Sequence, residues 1–403
     1  MLVRVLRCLL VLLLAAAAVD VAARAEAVPS HPAPVVVTLP EPTGPDPIGV
    51  TDLHLVDASR RDPYVPGRAR ELMISVWYPA ADVAGVPVRP WLAPDLARMY
   101  LQSLTAYGIS PSMPSTLAPG HGHIDAPADV SGRGRPVLLF SPGMGMPSEL
   151  STAQAEDLAS HGFVVVGLGH TYETFATRFP GGRIEKSVLP PADRARTAAQ
   201  AAAALPIRLA DTRFVLDRLA DIAAGTDPDA DRHPLPRNLA RILDMSKVGM
   251  FGHSLGGATA AQAMHDDRRI SAGANLDGAL AGSVIADGLD RPFLLVSAGH
   301  TRDDDPGWRQ FRADSRGPRP RFRLDGAQHL SFCDNQLIVS ALATAAGTSP
   351  AITAQLVGTI DPRDSLDLQR GYLRTFFDTT FGRYDDLVRA PGTLLHPEMI
   401  PVP

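Results

Sequence analysis

The chain has few of the residues that would place it in several large classes of protein. Only two of its 403 residues are cysteines and only two are lysines, and the formal net charge is −5. No basic run provides the surface that nucleic acid or an anionic membrane would require, so we expect no nucleic-acid partner. With 45% hydrophobic and 20% charged residues, the composition fits a large packed core and excludes an intrinsically disordered or multi-span membrane protein.

The first apolar run is too short to cross a bilayer and has the features of a cleaved leader. Arg4 and Arg7 precede the run Cys8–Val19, and Ala25-Glu26-Ala27 supplies the small residues that signal peptidase accepts. We therefore expect residues 1–27 to be a signal peptide and the protein to be secreted, rather than held by an uncleaved anchor. Cleavage would remove Cys8 and leave Cys333 as a buried filler without a disulfide partner.

The rest of the chain divides into a short arm and one large domain. Residues 28–47 contain seven prolines and little periodicity, which predicts an extended arm, and residues 48–403 then form the domain. An insertion at about 80–130 could be a lid or a pocket rim. Within it, Trp91–Leu101 has apolar residues at helical spacing, which favours a core-facing helix over a lid.

Short β-rich runs alternate with longer helical patterns through the domain. This alternation predicts an α/β fold: a mostly parallel eight-stranded sheet with helices on both faces. We expect the first two strands to form a hairpin at the edge of the sheet. The predicted helices cover 149–160, about 192–223, 255–264 and 365–381, and the predicted strands are Asp52–Val56, Glu71–Tyr78, Pro136–Phe140, Phe163–Leu168, Lys247–Phe251, Ala272–Leu276, Phe293–Ser297 and Arg321–Leu324.

One strand runs directly into a glycine-flanked serine. The strand Lys247–Phe251 is followed by Gly252-His253-Ser254-Leu255-Gly256 and then by a helix rich in small residues. Glycines two positions before and after the serine allow neighbouring segments to approach closely, and such a turn lifts the Ser254 hydroxyl above the carboxyl edge of the sheet. The motif alone is weak, but its flanks also match. We predict that Ser254 is a nucleophile.

A serine nucleophile needs a base, and the base needs an acid to orient it. His329 follows the last predicted strand and is therefore the candidate base. Two acids fit the required order. Asp277 follows the strand Ala272–Leu276, whereas Asp303, with its neighbours Asp304 and Asp305, follows the next strand. The residues by themselves leave this choice to geometry.

The developing oxyanion requires two main-chain N–H donors. Leu255, directly after the nucleophile, is expected to supply one. The loop Ser141–Met146 follows the strand Pro136–Phe140, and we expect Met144 to supply the other. The alternative is that Gly143 and Gly145 merely form a turn.

These segments together resemble a known family. Phe140–Gly145, Asp157–Val165, Gly252–Thr259, Leu276-Asp277 and Gly326–His329, in this order and spacing, are similar to the platelet-activating-factor acetylhydrolase-like group of α/β-hydrolases, in particular its secreted bacterial lipase and esterase relatives. The resemblance runs from about Ile48 to Phe381. It implies an α/β-hydrolase fold with Asp277 as the acid. Members of this family commonly have a histidine at the position where this chain has Pro142.

Other histidines allow different interpretations. His121-Gly122-His123 is similar to the start of a metal-binding cluster but lacks further ligands, so we expect a surface loop and no metal. His170, after the fourth predicted strand, and His253, beside the nucleophile, could line the substrate pocket.

Together these features predict a secreted serine hydrolase that cleaves lipid or short-chain carboxylic esters without a cofactor. Transient contact with a lipid surface is compatible with this role. Three alternatives remain: a cutinase-like polyester hydrolase, an acyltransferase that uses the same triad, and a non-catalytic binding module. Product analysis with an added acceptor would separate the acyltransferase from the hydrolase.

Overall fold

A computed structural model describes residues 34–109, 115–132, 134–190, 194–299, 302–383 and 396–402. The predicted signal peptide and the first part of the predicted arm lie outside these residues. The strands of the described residues are β1 (Val35–Val37), β2 (Ile48–Arg61), β3 (Ala69–Pro79), β4 (Val88–Pro90), β5 (Ser115–Leu117), β6 (Pro119–Ile124), β7 (Arg135–Ser141), β8 (Val164–Gly169), β9 (Ala176–Arg178), β10 (Ile184–Lys186), β11 (Leu243–His253), β12 (Ile270–Leu276), β13 (Phe293–Ala298), β14 (Arg321–Leu324) and β15 (Met399–Pro401).

The α-helices of the same residues are α1 (Pro94–Ser103), α2 (Thr152–Ser160), α3 (Arg194–Ala223), α4 (Leu239–Ile242), α5 (Leu255–Asp266), α6 (Val284–Asp287), α7 (Pro306–Asp314), α8 (Asn335–Ala345), α9 (Pro350–Val357) and α10 (Pro362–Thr380). Short 3₁₀ segments lie at Leu104–Tyr107, Ser148–Ser151, Pro180–Gly182 and His329–Phe332. No helix among these described segments combines the length and apolar character needed to cross a membrane.

The central sheet has the strand order β15-β14-β13-β12-β11-β7-β8-β3-β2-β6-β4. Strands β14, β13, β12, β11, β7 and β8 run parallel to one another, and β3 then pairs antiparallel with both β8 and β2. The carboxyl ends of β7, β11, β12 and β14 therefore meet at one edge of the sheet. The fold is an α/β-hydrolase fold, as the sequence predicts.

All eight predicted strands are present in this sheet as β2, β3, β7, β8, β11, β12, β13 and β14. Three short strands that we did not predict extend it: β4 and β6 beyond the β2–β3 hairpin, and β15 beside β14. The four predicted helices correspond to α2, α3, α5 and α10. β4 and β15 have three residues each, which is too few to show alternation in the sequence. β6 has six, but it includes His121 and His123, so the expected surface loop is wrong there: the polar and glycine residues of this segment lie on a strand.

The sheet is buried on both faces because its central strands alternate between two apolar layers. On β7, Val137 and Leu139 belong to one layer, and Leu138 and Phe140 belong to the other. Helices α3, α5 and α7 contribute to the first layer, whereas α2 and α10 contribute to the second. This double packing holds the strand ends that position the site.

The inserted segment and the arm pack into a third apolar cluster. Tyr100 and Leu101 of α1 are buried there with residues of α8. From the arm, Val37 and Leu39 are also buried in this cluster, and β1 pairs in parallel with β5. The described part of the arm is therefore held against the domain by apolar contacts.

Candidate active site

Ser254 lies on the sharp turn between β11 and α5. Its φ is 56° and its ψ is −124°, a backbone conformation that a non-glycine residue adopts only under strain. The turn is fixed on both sides, because the Ser254 N–H donates to the Leu276 carbonyl (2.9 Å) and the Ser254 carbonyl accepts from the N–H groups of Gly257 and Ala258 (2.9 and 3.2 Å). These bonds hold the hydroxyl at the carboxyl edge of the sheet.

Close packing requires glycine at both ends of the turn Gly252–Gly256, which we call the elbow. A Cβ on Gly256 would overlap the Ser141 carbonyl oxygen at the end of β7, and a Cβ on Gly252 would overlap the Gly256 carbonyl. A Cβ on Gly278, which the sequence analysis did not single out, would overlap the Ser254 carbonyl. The elbow, the end of β7 and the loop after β12 therefore pack backbone against backbone.

The structure brings the three predicted triad residues together. The Ser254 Oγ lies 2.9 Å from His329 Nε2, and His329 Nδ1 lies 2.6 Å from Asp277 Oδ2. The His329 side chain is 43% exposed, whereas that of Asp277 is 1% exposed. A buried carboxylate thus faces one ring nitrogen of a solvent-accessible imidazole, and the hydroxyl faces the other. This is the geometry that removes a proton from a serine.

Asp277 is held rigidly at the end of β12. It also has a positive φ, 55°. Its N–H donates to the Val296 carbonyl (2.7 Å), and its Oδ1 accepts from the N–H of Ala298 (3.1 Å). Arg302 donates from Nη2 to the Asp277 carbonyl oxygen (2.8 Å), and its Nε lies 3.4 Å from Oδ1. Sequence reasoning missed Arg302, since no motif marks it.

The rival acid points elsewhere. Asp303 pairs with Arg321 on β14 (3.1 Å) and lies 3.6 Å from Arg323. Its neighbour Asp305 caps α7 by accepting from the N–H of Trp308. Both carboxylates are thus engaged in interactions away from the His329 ring.

His253 packs against the candidate base, His329, from inside the molecule. Its ring centroid lies 4.7 Å from that of His329, and its Nε2 donates to the His329 carbonyl oxygen (2.8 Å). Burial and the neighbouring His329 lower the pKa of His253 to about 3, so the ring is neutral at physiological pH. It is 1% exposed and supports the segment that carries the base, rather than lining an open pocket.

The two predicted oxyanion donors lie on adjoining segments. Met144 packs against the small apolar cluster that contains Leu255, Ala204 and Ala258. Within the described chain, neither the Met144 N–H nor the Leu255 N–H donates a hydrogen bond to a protein acceptor. Both are therefore available to a bound substrate.

His170 lies beneath the loop Ser141–Met146 and is 1% exposed. Its Nε2 lies 3.1 Å from the Ser141 Oγ, and its Nδ1 lies 3.0 Å from Asp211 Oδ2. Burial and Arg208 lower its pKa. His170 thus belongs to a buried polar network rather than to the lining of an open pocket. Cys333 is also buried, and burial raises the pKa of its thiol to about 12, so it remains a thiol.

A mostly parallel sheet with a serine on the elbow of a central strand defines the class of α/β-hydrolases. Within that class, the chain belongs to the family of platelet-activating factor acetylhydrolase, isoform II, whose family model matches residues 35–378.

Individual relatives carry the names of ester hydrolases. The chain is 27% identical over 393 residues to a probable 1-alkyl-2-acetylglycerophosphocholine esterase from Arthroderma benhamiae, with 90% of this chain and 93% of that protein covered. It is 24% identical over 396 residues to platelet-activating factor acetylhydrolase from Cavia porcellus, covering 90% and 83%. Among solved structures, ferulic acid esterase from Streptomyces cinnamoneus superposes with a TM-score of 0.73 at 32% identity, covering 91% of this chain and 99% of that one. The protein is a carboxylic ester hydrolase.

Proposed function

We propose that the protein is a secreted serine esterase that cleaves short-acyl esters, including those of lipids, through an acyl-enzyme. The observation that carries this proposal is the continuous set of contacts from Ser254 Oγ through the His329 ring to Asp277, at 2.9 and 2.6 Å. Family membership indicates that the bond cleaved is an ester. The contacts among Ser254, His329 and Asp277 provide the nucleophile, the base and the acid for its cleavage.

The proposed reaction has two halves. Ser254 Oγ attacks the ester carbonyl carbon while His329 Nε2 takes its proton, and Asp277 stabilises the resulting imidazolium. The tetrahedral oxyanion is held by the N–H groups of Met144 and Leu255. His329 then protonates the leaving alcohol. A water molecule, deprotonated by His329, attacks the acyl-enzyme and releases the acid and the free serine.

The side chains around the oxyanion donors favour a short acyl group. Alanines at 201, 204, 258 and 281 pack with Met144 and Leu255, so the apolar surface beside the nucleophile is built largely from small side chains. The acetyl ester in the fungal relative's name is consistent with this surface. We expect kcat/KM on p-nitrophenyl esters to fall as the acyl chain lengthens beyond a few carbons.

A variant series tests the mechanism. Ser254→Ala should reduce turnover of p-nitrophenyl acetate on the order of 10⁶-fold, because the nucleophile is lost while the fold is retained. Ser246→Ala is the matched control, since Ser246 is an exposed serine on the same strand whose N–H and hydroxyl both donate to Asp244 Oδ1. A Ser254→Ala enzyme as fast as the wild type would end the proposal.

A hydroxycinnamate ester is a second candidate substrate. It is favoured by the 32% identity to a ferulic acid esterase over nearly the whole chain. Hydrolysis of methyl ferulate and of an acetyl-glycerophosphocholine, measured side by side with p-nitrophenyl acetate, distinguishes the two. A kcat/KM for methyl ferulate above that for the acetyl esters would assign the hydroxycinnamate.

Export is part of the proposal and has its own test. The residue pattern at Arg4, Arg7 and Cys8–Val19 supports a leader that is cleaved near Ala27. Terminal sequencing of protein from the culture medium should then begin close to Val28. Active protein that keeps residues 1–27 inside the cell would contradict export.

A further inference from the structure

A buried ion pair lies directly beneath the loop Ser141–Met146, which we call the oxyanion loop. Arg208 of α3 and Glu173, in the segment after β8, are each 1% exposed. The Arg208 Nε donates to Glu173 Oε2 (2.9 Å), and Nη2 donates to the other carboxylate oxygen. Burial alone would raise the pKa of Glu173, but Arg208 outweighs it and lowers that pKa. Glu173 therefore remains a carboxylate inside the protein, paired with the Arg208 guanidinium.

The remaining donors of Arg208 bind the oxyanion loop. Nη1 donates to the Pro142 carbonyl oxygen (2.6 Å) and to the Ser141 Oγ (3.0 Å), and Nη2 donates to the Gly143 carbonyl oxygen (3.3 Å). One planar guanidinium thus holds two consecutive carbonyl groups of the loop while its other edge is fixed by a carboxylate.

The direction of these carbonyls fixes the direction of the catalytic donor. The Gly143 carbonyl and the Met144 N–H belong to the same planar trans peptide unit, so they point in opposite directions. The Gly143 oxygen also accepts from the Met146 N–H (3.1 Å). Because the carbonyl is held from below by Arg208, the Met144 N–H is directed away from Arg208. A rotation of this peptide would lose both bonds.

The Ser141 hydroxyl is held from a second side. His170 Nε2 lies 3.1 Å from it, and the His170 ring is in turn fixed by Asp211, which forms an ion pair with Arg70. Although Ser141, His170 and Asp211 are arranged like a triad, all three are at most 1% exposed, which leaves no access for a substrate. The network therefore serves as a support for the end of β7.

We propose that Arg208 is a positioning residue that sets the orientation of the Met144 N–H in the oxyanion site. This inference rests on the proposed function, because it takes Met144 as an oxyanion donor. Arg208 lies under the loop and would act only through the peptide that it holds.

The test compares two buried arginines. In Arg208→Lys a single ammonium can keep the charge beside Glu173 but cannot reach both loop carbonyls in the guanidinium geometry. Arg370→Lys is the matched control: Arg370 is also buried and donates to three main-chain carbonyls, those of Ala153, Glu41 and Pro40, away from the site. The double variant Arg208→Gln/Glu173→Gln removes both charges together and provides a second route if the lysine variant fails to fold.

The readouts are kcat, KM and the inhibition constant of an alkyl trifluoromethyl ketone, which forms a tetrahedral oxyanion on a serine. We expect kcat of Arg208→Lys to fall by roughly 10- to 100-fold, below the roughly 10²- to 10³-fold loss for removing a donor outright. KM should stay within about twofold and the inhibitor should weaken in parallel with kcat. Arg370→Lys should keep kcat within about twofold of wild type even where its melting temperature falls.

A matching loss of kcat in both lysine variants, or a wild-type kcat and inhibitor affinity in Arg208→Lys and in the double variant, would overturn the inference. Ser254→Ala is measured beside them. An inactive Ser254→Ala enzyme together with unaffected Arg208→Lys and double-variant enzymes overturns only the role of Arg208, whereas an active Ser254→Ala enzyme overturns the proposed function itself.

Discussion

Two residues of the candidate triad have unfavourable backbone conformations. Ser254 and Asp277 are two of the six non-glycine residues with positive φ in the described chain. Such a conformation costs about 1–3 kcal/mol and persists only where the surroundings determine it. Here the surroundings are main-chain bonds to Leu276 and Val296 and a side-chain bond from Arg302. The two side chains that flank His329 are therefore placed by rigid neighbours rather than by flexible loops.

The two rival acids give a prediction at this scale. Asp277→Asn should lower kcat by about 10⁴-fold, because an amide in this position selects the wrong imidazole tautomer and cannot stabilise the imidazolium. Asp303→Asn should leave kcat within a few-fold, since Asp303 pairs with Arg321. Steady-state kinetics on p-nitrophenyl acetate measure both. The reverse pattern, with Asp303→Asn the slower enzyme, would reassign the acid.

At the scale of elements, the strand–turn–helix unit β11–α5 is the part of the site that the sequence predicts most directly. Its signals are local: a β-rich run, the spacing of Gly252, Ser254 and Gly256, and a small-residue helix. The same holds for the eight predicted strands, whose apolar runs are visible in sequence. Local patterns do not decide whether Asp277 or Asp303 is the acid of the triad, because the two residues follow neighbouring strands. The resemblance to a family is what favours Asp277.

What the sequence could not predict depends on contacts between distant segments. Arg208 and Glu173 are 35 residues apart, and nothing in either segment indicates that they pair beneath a third. Arg302 is one of many arginines and follows no motif. The partner of a buried charge is decided by tertiary packing, which local patterns do not encode.

The packing of the elbow predicts the effect of a single methyl group. Gly256→Ala should destabilise the protein by about 2–3 kcal/mol and reduce activity, because its Cβ would overlap the Ser141 carbonyl and displace the oxyanion loop. Gly307→Ala, near the start of α7, is the control, as its Cβ would meet only Asp305 Oδ1, at 3.2 Å, and more distant atoms. Denaturant unfolding measures both. Equal stability of the two variants would show that the elbow tolerates a side chain.

At the scale of the whole molecule, one buried carboxyl joins three parts of the fold. The Asp334 side chain lies at the start of α8, accepts from Trp91 Nε1 of the insertion (3.1 Å) and lies 3.4 Å from the N–H of Ala153 in α2. It is fully buried, and burial raises its pKa to about 7. The 3₁₀ segment His329–Phe332 ends two residues before Asp334, so this carboxyl ties the insertion and α2 to the part of the chain that follows the candidate base.

This carboxyl should make stability depend on pH in a definite direction. The unfolded chain loses this proton near pH 4 and the folded chain near pH 7, so between these values rising pH favours unfolding through Asp334. Asp334→Asn removes the titration. Its free energy of unfolding relative to wild type should therefore rise by about 1 kcal/mol per pH unit from pH 4 to pH 7.

Urea unfolding at several pH values measures this difference, with Asp325→Asn as the control because the Asp325 side chain is about half exposed (53%). A difference between Asp334→Asn and wild type that stays constant over the window would show that the carboxyl titrates alike in the folded and unfolded chain.

The most direct test of the central claim is to locate the nucleophile chemically. The wild-type enzyme is treated with a fluorophosphonate, its residual esterase activity is followed, and the modified peptide is identified by mass spectrometry. We predict one adduct per chain, on Ser254, formed in proportion to the activity lost. An adduct on a different residue that accounts for the loss of activity, or full activity retained without any adduct, would contradict Ser254 as the attacking group.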